Sequence, residues 1–337
     1  MKGRTSESRS ALLRLAILLA ALVLLPALVR PIIAAEIWIF AIAAMALNLI
    51  FGYTGMLSFG QATFFGMGAY TAGLMMIHWK APLLLCLVSG ALTGAITAAL
   101  IGYLCIQRLG IYFIMLTFGF NQMIYFIAYK WTDLTGGDDG LPGIPRPPLA
   151  FGPFSVAIDT SLRYYIFVAV LFLFLFYAMK RIVESPFGLI CQSIRENPVR
   201  AAAVGYNVKR YKWIAFTIAG AFTGLAGVLY SMMFGIVPLE VISWITSGDI
   251  VFMVLIGGIG NLYGPLIGAA VFKWLSEAMS VIWARWPLLL GVAFVLVVLF
   301  LRGGCVEAWE RLVGLVGTLE RRRKEAAYGA AADGEVD

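Results

Sequence analysis

The sequence predicts an all-α fold: a polytopic transmembrane helical bundle of about eight to ten spans, some broken at glycine. Three observations carry this. The 337 residues are 61% hydrophobic and only 13% charged, where an ordinary soluble domain carries about 25% charge. Apolar runs long enough to cross a bilayer recur along the whole chain. Two of the apolar stretches, one in each half, are interrupted by glycine clusters. A single water-soluble core could not absorb so much apolar surface, because domain cores stop growing near this chain length. A bilayer as solvent removes the difficulty.

A spanning helix needs about 20 mostly apolar residues. The candidates in order are Ala11–Val29, Ile32–Phe51, Leu57–Trp79, Pro82–Ile106, Ile111–Tyr129, Tyr164–Met179, Trp213–Phe234, Asp249–Leu275 and Val281–Leu301. The first follows Lys2, Arg4 and Arg9, as a signal peptide would, but it is longer than a typical h-region and no small-x-small site follows. It reads as an uncleaved span with residues 1–10 in the cytoplasm.

Orientation follows from the loops. Residues 180–212 hold seven basic residues (Lys180, Arg181, Arg195, Arg200, Lys209, Arg210, Lys212) against two acidic ones. Residues 130–162 hold Lys130 and Arg146 against Asp133, Asp138, Asp139 and Asp159. The positive-inside rule puts 180–212 in the cytoplasm and the loop 130–163 outside. Nine crossings would leave the tail 302–337 outside, yet its run Arg321-Arg322-Arg323-Lys324, flanked by Glu320 and Glu325, reads as a cytoplasmic lipid-facing anchor. The same placement of charge between apolar runs is membrane topology and not a nucleic-acid surface. The long run Asp249–Leu275 is the suspect in the parity: it holds Gly257, Gly258 and Gly260 and then Gly264-Pro265. Two re-entrant half-helices or two short crossings would both restore it.

Asn48–Gly60, NLIFGYTGMLSFG, is the matching interruption, with Gly52, Gly55 and Gly60. Irregular backbone at membrane depth persists only inside protein or along a water-filled cavity. Paired broken segments in two halves therefore point to a transport path at a repeat interface. Close helix packing is the alternative, as for Gly90/Gly94 and Gly220/Gly224.

Catalytic signatures are missing. The lone histidine, His78, lies at the end of an apolar run beside Trp79, an interfacial position. There is no P-loop, no HExxH and no GxSxG. Cys86, Cys105, Cys191 and Cys305 are without metal-ligand spacing and read as small apolar residues. The ionisable residues within the spans, Arg14, Glu36, Asp249 and Lys273, sit near predicted ends, where Arg14 and Lys273 can snorkel. With no charged relay at mid-depth, the energy for transport is expected from another subunit. Polar groups able to contact a substrate weakly are Asn48, Ser58, Gln61, Thr117, Asn121 and Gln122; helix–helix hydrogen bonding is the alternative use of each.

The most informative loop segment is Glu184–Lys212. Ser185-Pro186 starts a short helix whose apolar stripe would comprise Phe187, Leu189, Ile190 and Ile194. Asn197-Pro198 starts a second, Ala-rich one ending near Gly205. Such a pair can lie on lipid or dock into a partner's groove. The alanines are too weakly apolar for strong lipid binding and suit docking.

The stretches 48–70 (NLIFGYTGMLSFGQATFFGMGAY), 110–124, 131–144 (WTDLTGGDDGLPGI), 185–208, 216–230 and 251–272 together resemble, in family order, the permease subunits of branched-chain amino acid ABC importers, LivM-type branch. One departure is Arg302-Gly303-Gly304-Cys305, where the family commonly has an Arg-Pro-x-Gly turn. The resemblance implies a multi-pass subunit of the bacterial inner membrane, not an enzyme. It would pair with a homologous permease and two cytoplasmic ATP-binding subunits, which bind the ATP, while a periplasmic substrate-binding protein supplies Leu, Ile or Val. It also implies a coupling helix at Arg195–Gly205, with Arg195, Glu196, Ala201, Ala202, Ala203 and Gly205 toward the ATPase. Urea, short amides and aromatic acids are the alternative cargoes within the family; an ion-driven transporter or channel is the alternative of another class.

Overall fold

The computed structural model describes residues 29–108, 110–151, 154–156, 158–282 and 285–300, with isolated positions 20, 22, 24–26 and 304. The first predicted span lies mostly outside these residues, as do Cys305 and the Arg321–Lys324 run. The helices are α1 (Pro31–Thr54), α2 (Gln61–His78), α3 (Leu83–Cys105), α4 (Ile111–Lys130), α5 (Thr132–Thr135), α6 (Ser161–Val183), α7 (Pro186–Glu196), α8 (Pro198–Ala203), α9 (Val208–Phe234), α10 (Trp244–Gly257), α11 (Gly264–Ile282) and α12 (Trp286–Phe300). Five of them (α1, α3, α4, α6, α9) are long and apolar enough to cross a membrane.

Helix α1 is the hub. It opens with Pro31, whose missing N–H costs nothing in a first turn, and it is apolar all round, the pattern of a helix enclosed by protein. Nineteen of its 24 residues are buried, against α9, α6, α10 and α11. It stops at Gly55, whose φ of 74° is left-handed, with the amide of Met56 turned back to the carbonyl of Ile50 at 2.9 Å.

Helices α2, α3 and α9 interlock through small residues. A Cβ on Gly220 would stand 2.2 Å from the Ala98 Cβ and 2.5 Å from the Gly94 carbonyl oxygen. One on Gly224 would meet the Gly90 carbonyl at 2.3 Å, and one on Gly68 the Gly224 carbonyl at 2.2 Å. With no apolar driving force between helices in lipid, backbone contact of this kind supplies the attraction.

The 27 residues of α9 span about 40 Å at 1.5 Å per residue. The segment 130–160 gathers at its C-terminal end. There β1 (Leu141–Pro142) pairs antiparallel with β4 (Ile236–Val237), and β2 (Leu149–Phe151) pairs with β3 (Phe154–Val156). Arg146 donates to the carbonyls of Met232 (3.0 Å) and Met233 (2.6 Å) and covers the ring of Tyr164. The basic segment 184–207 sits at the other end.

The run Asp249–Leu275 is not one span. Helix α10 begins five residues earlier, at Trp244, and α11 ends seven residues later, at Ile282. The two form an antiparallel hairpin: Gly257 abuts the Gly264 carbonyl and Gly268 the Met253 carbonyl, at 1.9 and 1.8 Å from an added Cβ. At 14 residues α10 covers about 21 Å, less than the roughly 30 Å hydrocarbon core. The stretch before it is irregular: β4 and the 3-10 turn Leu239–Ile242 lead into α10 with Leu239, Val241 and Ile242 buried.

A second expectation changes. Lys273 does not snorkel. Its Nζ lies 2.7 Å from the Glu36 carboxylate and 3.8 Å from the Phe40 ring centre. A partner on α1 was within reach once α11 packed there, which a linear sequence does not display. Arg14 lies outside the described residues. His78 ends α2, exposed beside Trp79, and Cys86, Cys105 and Cys191 are buried and free. Among the described residues no cluster of His, Cys, Asp or Glu could hold a metal.

Candidate translocation and coupling site

A polar seam runs where the start of α2 meets α4, α9 and α10. Ser58 is buried, and its Oγ accepts from the Gly60 amide at 3.1 Å. Thr117 accepts from the Phe59 amide (3.2 Å) and donates to the Ile114 carbonyl (2.9 Å). Asn121 accepts from Thr63 Oγ1 at 2.8 Å and donates to the Ile242 carbonyl at 3.0 Å. Gln61 Oε1 accepts from Thr223 at 2.8 Å, and Ser247 Oγ accepts from the Ala62 amide at 2.9 Å. Halfway along α4, Asn121 thus satisfies a carbonyl of the irregular stretch before α10, which lipid could not do.

Asn48 serves the other break in the same way, away from this seam. Its Nδ2 donates to the Asn261 carbonyl at 2.9 Å, and its Oδ1 accepts from the Gly260 amide at 3.0 Å. The two glycine-broken segments are thereby joined, since a Cβ on Gly52 would stand 2.7 Å from the Gly260 nitrogen. Arg195 enters the same place from α7: its Nη1 donates to the Gly52 carbonyl, and its Cγ lies 3.3 Å from where a Gly55 Cβ would be. Gly60 is the residue before α2, Gly257 ends α10, and Gly258 (φ 114°) and Gly260 (φ 83°) turn the chain between α10 and α11.

Of the path candidates, then, Asn48, Ser58, Thr117 and Asn121 direct polar groups to partners inside the chain. Among the described residues, the buried side-chain atoms without a hydrogen-bond partner are Gln61 Nε2, Gln122 Oε1 and Tyr70 Oη. Such a group costs about 1–3 kcal/mol when nothing meets it. Thr63, Tyr70, Thr223 and Ser247 are polar residues of this region that are not among the path candidates, and Asn261 lies in the glycine-broken stretch 257–261. Each is a polar residue set in or beside an apolar run, and that alone could have marked it.

The cytoplasm-assigned pair α7–α8 differs from its expected pattern. The buried face of α7 is Gly188, Cys191 and Ile194, while Leu189 is 58% exposed. Counting back from Ile194 by three and four gives 191, 190, 188 and 187; position 189 falls on another face. Burial pushes the Cys191 thiol up to about 12. Asn197 caps α8, its Oδ1 accepting from the Arg200 amide at 2.9 Å. Glu196, Ala202, Ala203 and Gly205 are exposed, with Val199 (77%) and Val204 (72%) beside them. Ala201 is buried within the chain, and the Arg195 guanidinium is turned to the bundle.

An apolar helical bundle with two glycine-broken segments clamped together inside it is the build of a multi-pass membrane protein. The chain belongs to the family of branched-chain amino acid transport system permease components, which residues 32–302 match. It is 28% identical over 267 residues to the high-affinity branched-chain amino acid permease protein LivM of Salmonella typhimurium, covering 73% of this chain and 63% of that one. It is 26% identical over 262 residues to LivH of Escherichia coli K12, covering 72% and 81%. Over 107 residues it is 33% identical to the guanosine ABC transporter permease NupQ of Bacillus subtilis, covering 31% and 32%. The chain spans less than two thirds of the length of the LivM relatives it matches. No solved structure matches it.

Proposed function

We propose that the chain is the membrane-spanning subunit of an ATP-driven importer of branched-chain amino acids in the bacterial inner membrane. In this reading 130–163 faces the periplasm and a substrate-binding protein. Segment 180–212 faces the cytoplasm and two ATPase subunits that bind the ATP, and a homologous permease completes the path. The carrying observation is the geometry of α7–α8. Its outer surface (Leu189, Val199, Ala202, Ala203, Val204) is apolar or small and unpartnered in this chain. Its inner end is tied through Arg195 to Gly52, at the clamp joining both breaks. A push on α8 by a docked ATPase would reach the broken segments through that bond. In this reading the polar seam around Gln61, Thr117 and Asn121 gives a cargo weak polar contacts, which suits an amino acid that must also leave.

Ala202→Trp is the sharper test, because Gly205 has a φ of 100° and any side chain there strains the backbone whatever it touches. The variant should insert normally and abolish ATP-dependent leucine uptake in vesicles holding all subunits. Full uptake would refute the docking reading, and uptake without any ATPase subunit would instead favour an ion-driven carrier. The local similarity to a guanosine permease favours a second reading of the cargo alone. Stimulation of ATP hydrolysis by purified binding proteins of each kind separates the two.

A further inference from the structure

Helices α3 and α9 touch backbone to backbone at Gly94 and Gly220, and then part toward the end that carries the basic segment. Phe216 already stands between them, 2.7 Å from where a Gly102 Cβ would be. Beyond Phe216 the gap opens into a cavity of about 510 Å³. One wall is the last turn of α3 (Gly102, Tyr103) with Ile106 and Gln107 just beyond it; the other is the start of α9 (Lys209, Arg210, Trp213) with Asn207.

The wall is graded. Gly102, Ile106 and the Trp213 ring make the deep part apolar, while Lys209, Arg210, Asn207 and Gln107 ring the mouth. No carboxylate lines it, and neither cation makes an ion pair among the described residues. Trp213 is fixed, its Nε1 donating to the Ala99 carbonyl at 2.8 Å, six residues inside α3 and so about 9 Å below that helix's end. Asn207 Oδ1 is spent on the Arg210 amide at 3.1 Å, leaving the two cationic side chains to serve a ligand.

We propose that this cavity binds one anionic phospholipid, its phosphate held by Lys209 and Arg210 and its glycerol and first acyl carbons lying against Tyr103, Ile106 and Trp213. A basic mouth over an apolar cleft between two spanning helices matches a lipid end to end. A docked soluble subunit could cover the cations but would leave the apolar wall of Gly102, Ile106 and Trp213 unfilled. The inference requires only that the chain spans a membrane, so it stands or falls separately from cargo and coupling.

The test is native mass spectrometry of the full chain in detergent, incubated with phosphatidylglycerol or with phosphatidylcholine. Phosphatidylglycerol should be retained preferentially. Each of Lys209→Gln and Arg210→Gln should weaken that retention about fivefold and the double variant about 30-fold, since a cation near the lipid surface contributes about 1 kcal/mol. Lys130→Gln, an exposed cation at the other end, should change nothing. Equal retention of the two lipids would overturn the proposal, as would full retention by a double variant that elutes as a single species. Displacement by millimolar inorganic phosphate would assign the cations to a free anion instead. Loss of ATPase co-purification with lipid retention intact would assign them to that subunit and equally overturn it.

Discussion

Removing the Asn48 amide should loosen the joint between the two breaks, and the size of the effect can be worked from its bonds. Asn48 is 1% exposed, so no water replaces its partners. Asn48→Ala strands the Gly260 amide and the Asn261 carbonyl, bonded now at 3.0 and 2.9 Å. Hydrogen bonds between membrane helices contribute about 0.6 kcal/mol on average and at most about 1.7. Two bonds therefore amount to about 1–3 kcal/mol. Gly52→Ala places a methyl 2.2 Å from Asn48 Oδ1 and 2.7 Å from the Gly260 nitrogen. It must first expel the amide and should therefore cost less in the Asn48→Ala background, with a coupling of about 0.5–3 kcal/mol. Reversible denaturant titration in micelles, with tryptophan fluorescence as readout, measures all four proteins. An Asn48→Ala variant within about 0.5 kcal/mol of the parent, or strict additivity with Gly52→Ala, would refute the clamp.

Further outcomes follow from the same geometry. Gly220→Ala should destabilise by about 1–3 kcal/mol, because its methyl has no room between α9 and α3. Gly119→Ala, with nothing within 4 Å, should be close to neutral in the same titration. Lys273→Met should cost about 1–3 kcal/mol by leaving Glu36 alone and only about 18% exposed, and adding Glu36→Gln should recover part of that loss. Cys191 should resist maleimide at pH 8: burial raises its pKa from 9.0 to about 12, so the thiolate is about a thousandfold scarcer than at an unshifted cysteine. Mass spectrometry of a timed reaction reads this, and labelling as fast as at an engineered exposed cysteine would contradict the burial.

Much of the architecture was legible because lipid imposes a simple rule on sequence. Runs of about 20 apolar residues became α1, α3, α4 and α9, and the contrast of charge between 130–162 and 180–212 became the two ends of α9. The glycine clusters at 52–60 and 257–260 marked both breaks. What was hidden is pairwise. Nothing local ties Asn48 to residues 260 and 261 more than 200 positions away, or Lys273 to Glu36. The stripe Phe187, Leu189, Ile190 and Ile194 fails at Leu189, because the helical period set by Gly188, Cys191 and Ile194 leaves position 189 on another face. The path candidates came from polarity alone, and polarity cannot separate a side chain that patches the chain's own backbone, as Asn121 does, from one such as Gln122 that keeps an atom unspent.

The glycine lock among α2, α3 and α9 limits how this molecule can change shape. Each carbonyl there sits where a neighbour's methyl would be, so sliding one helix along another means climbing over backbone atoms. In the transport cycle proposed above, the trio should therefore move as one block. Movement in that cycle is expected instead in α4, held inward by Phe113, Thr117, Asn121 and Ala128 while most of its remaining side chains face outward, and in the α10–α11 hairpin. Spin-label distances across α3 and α9 should stay constant when ATP is added to the assembled transporter, while those from α4 to α9 change.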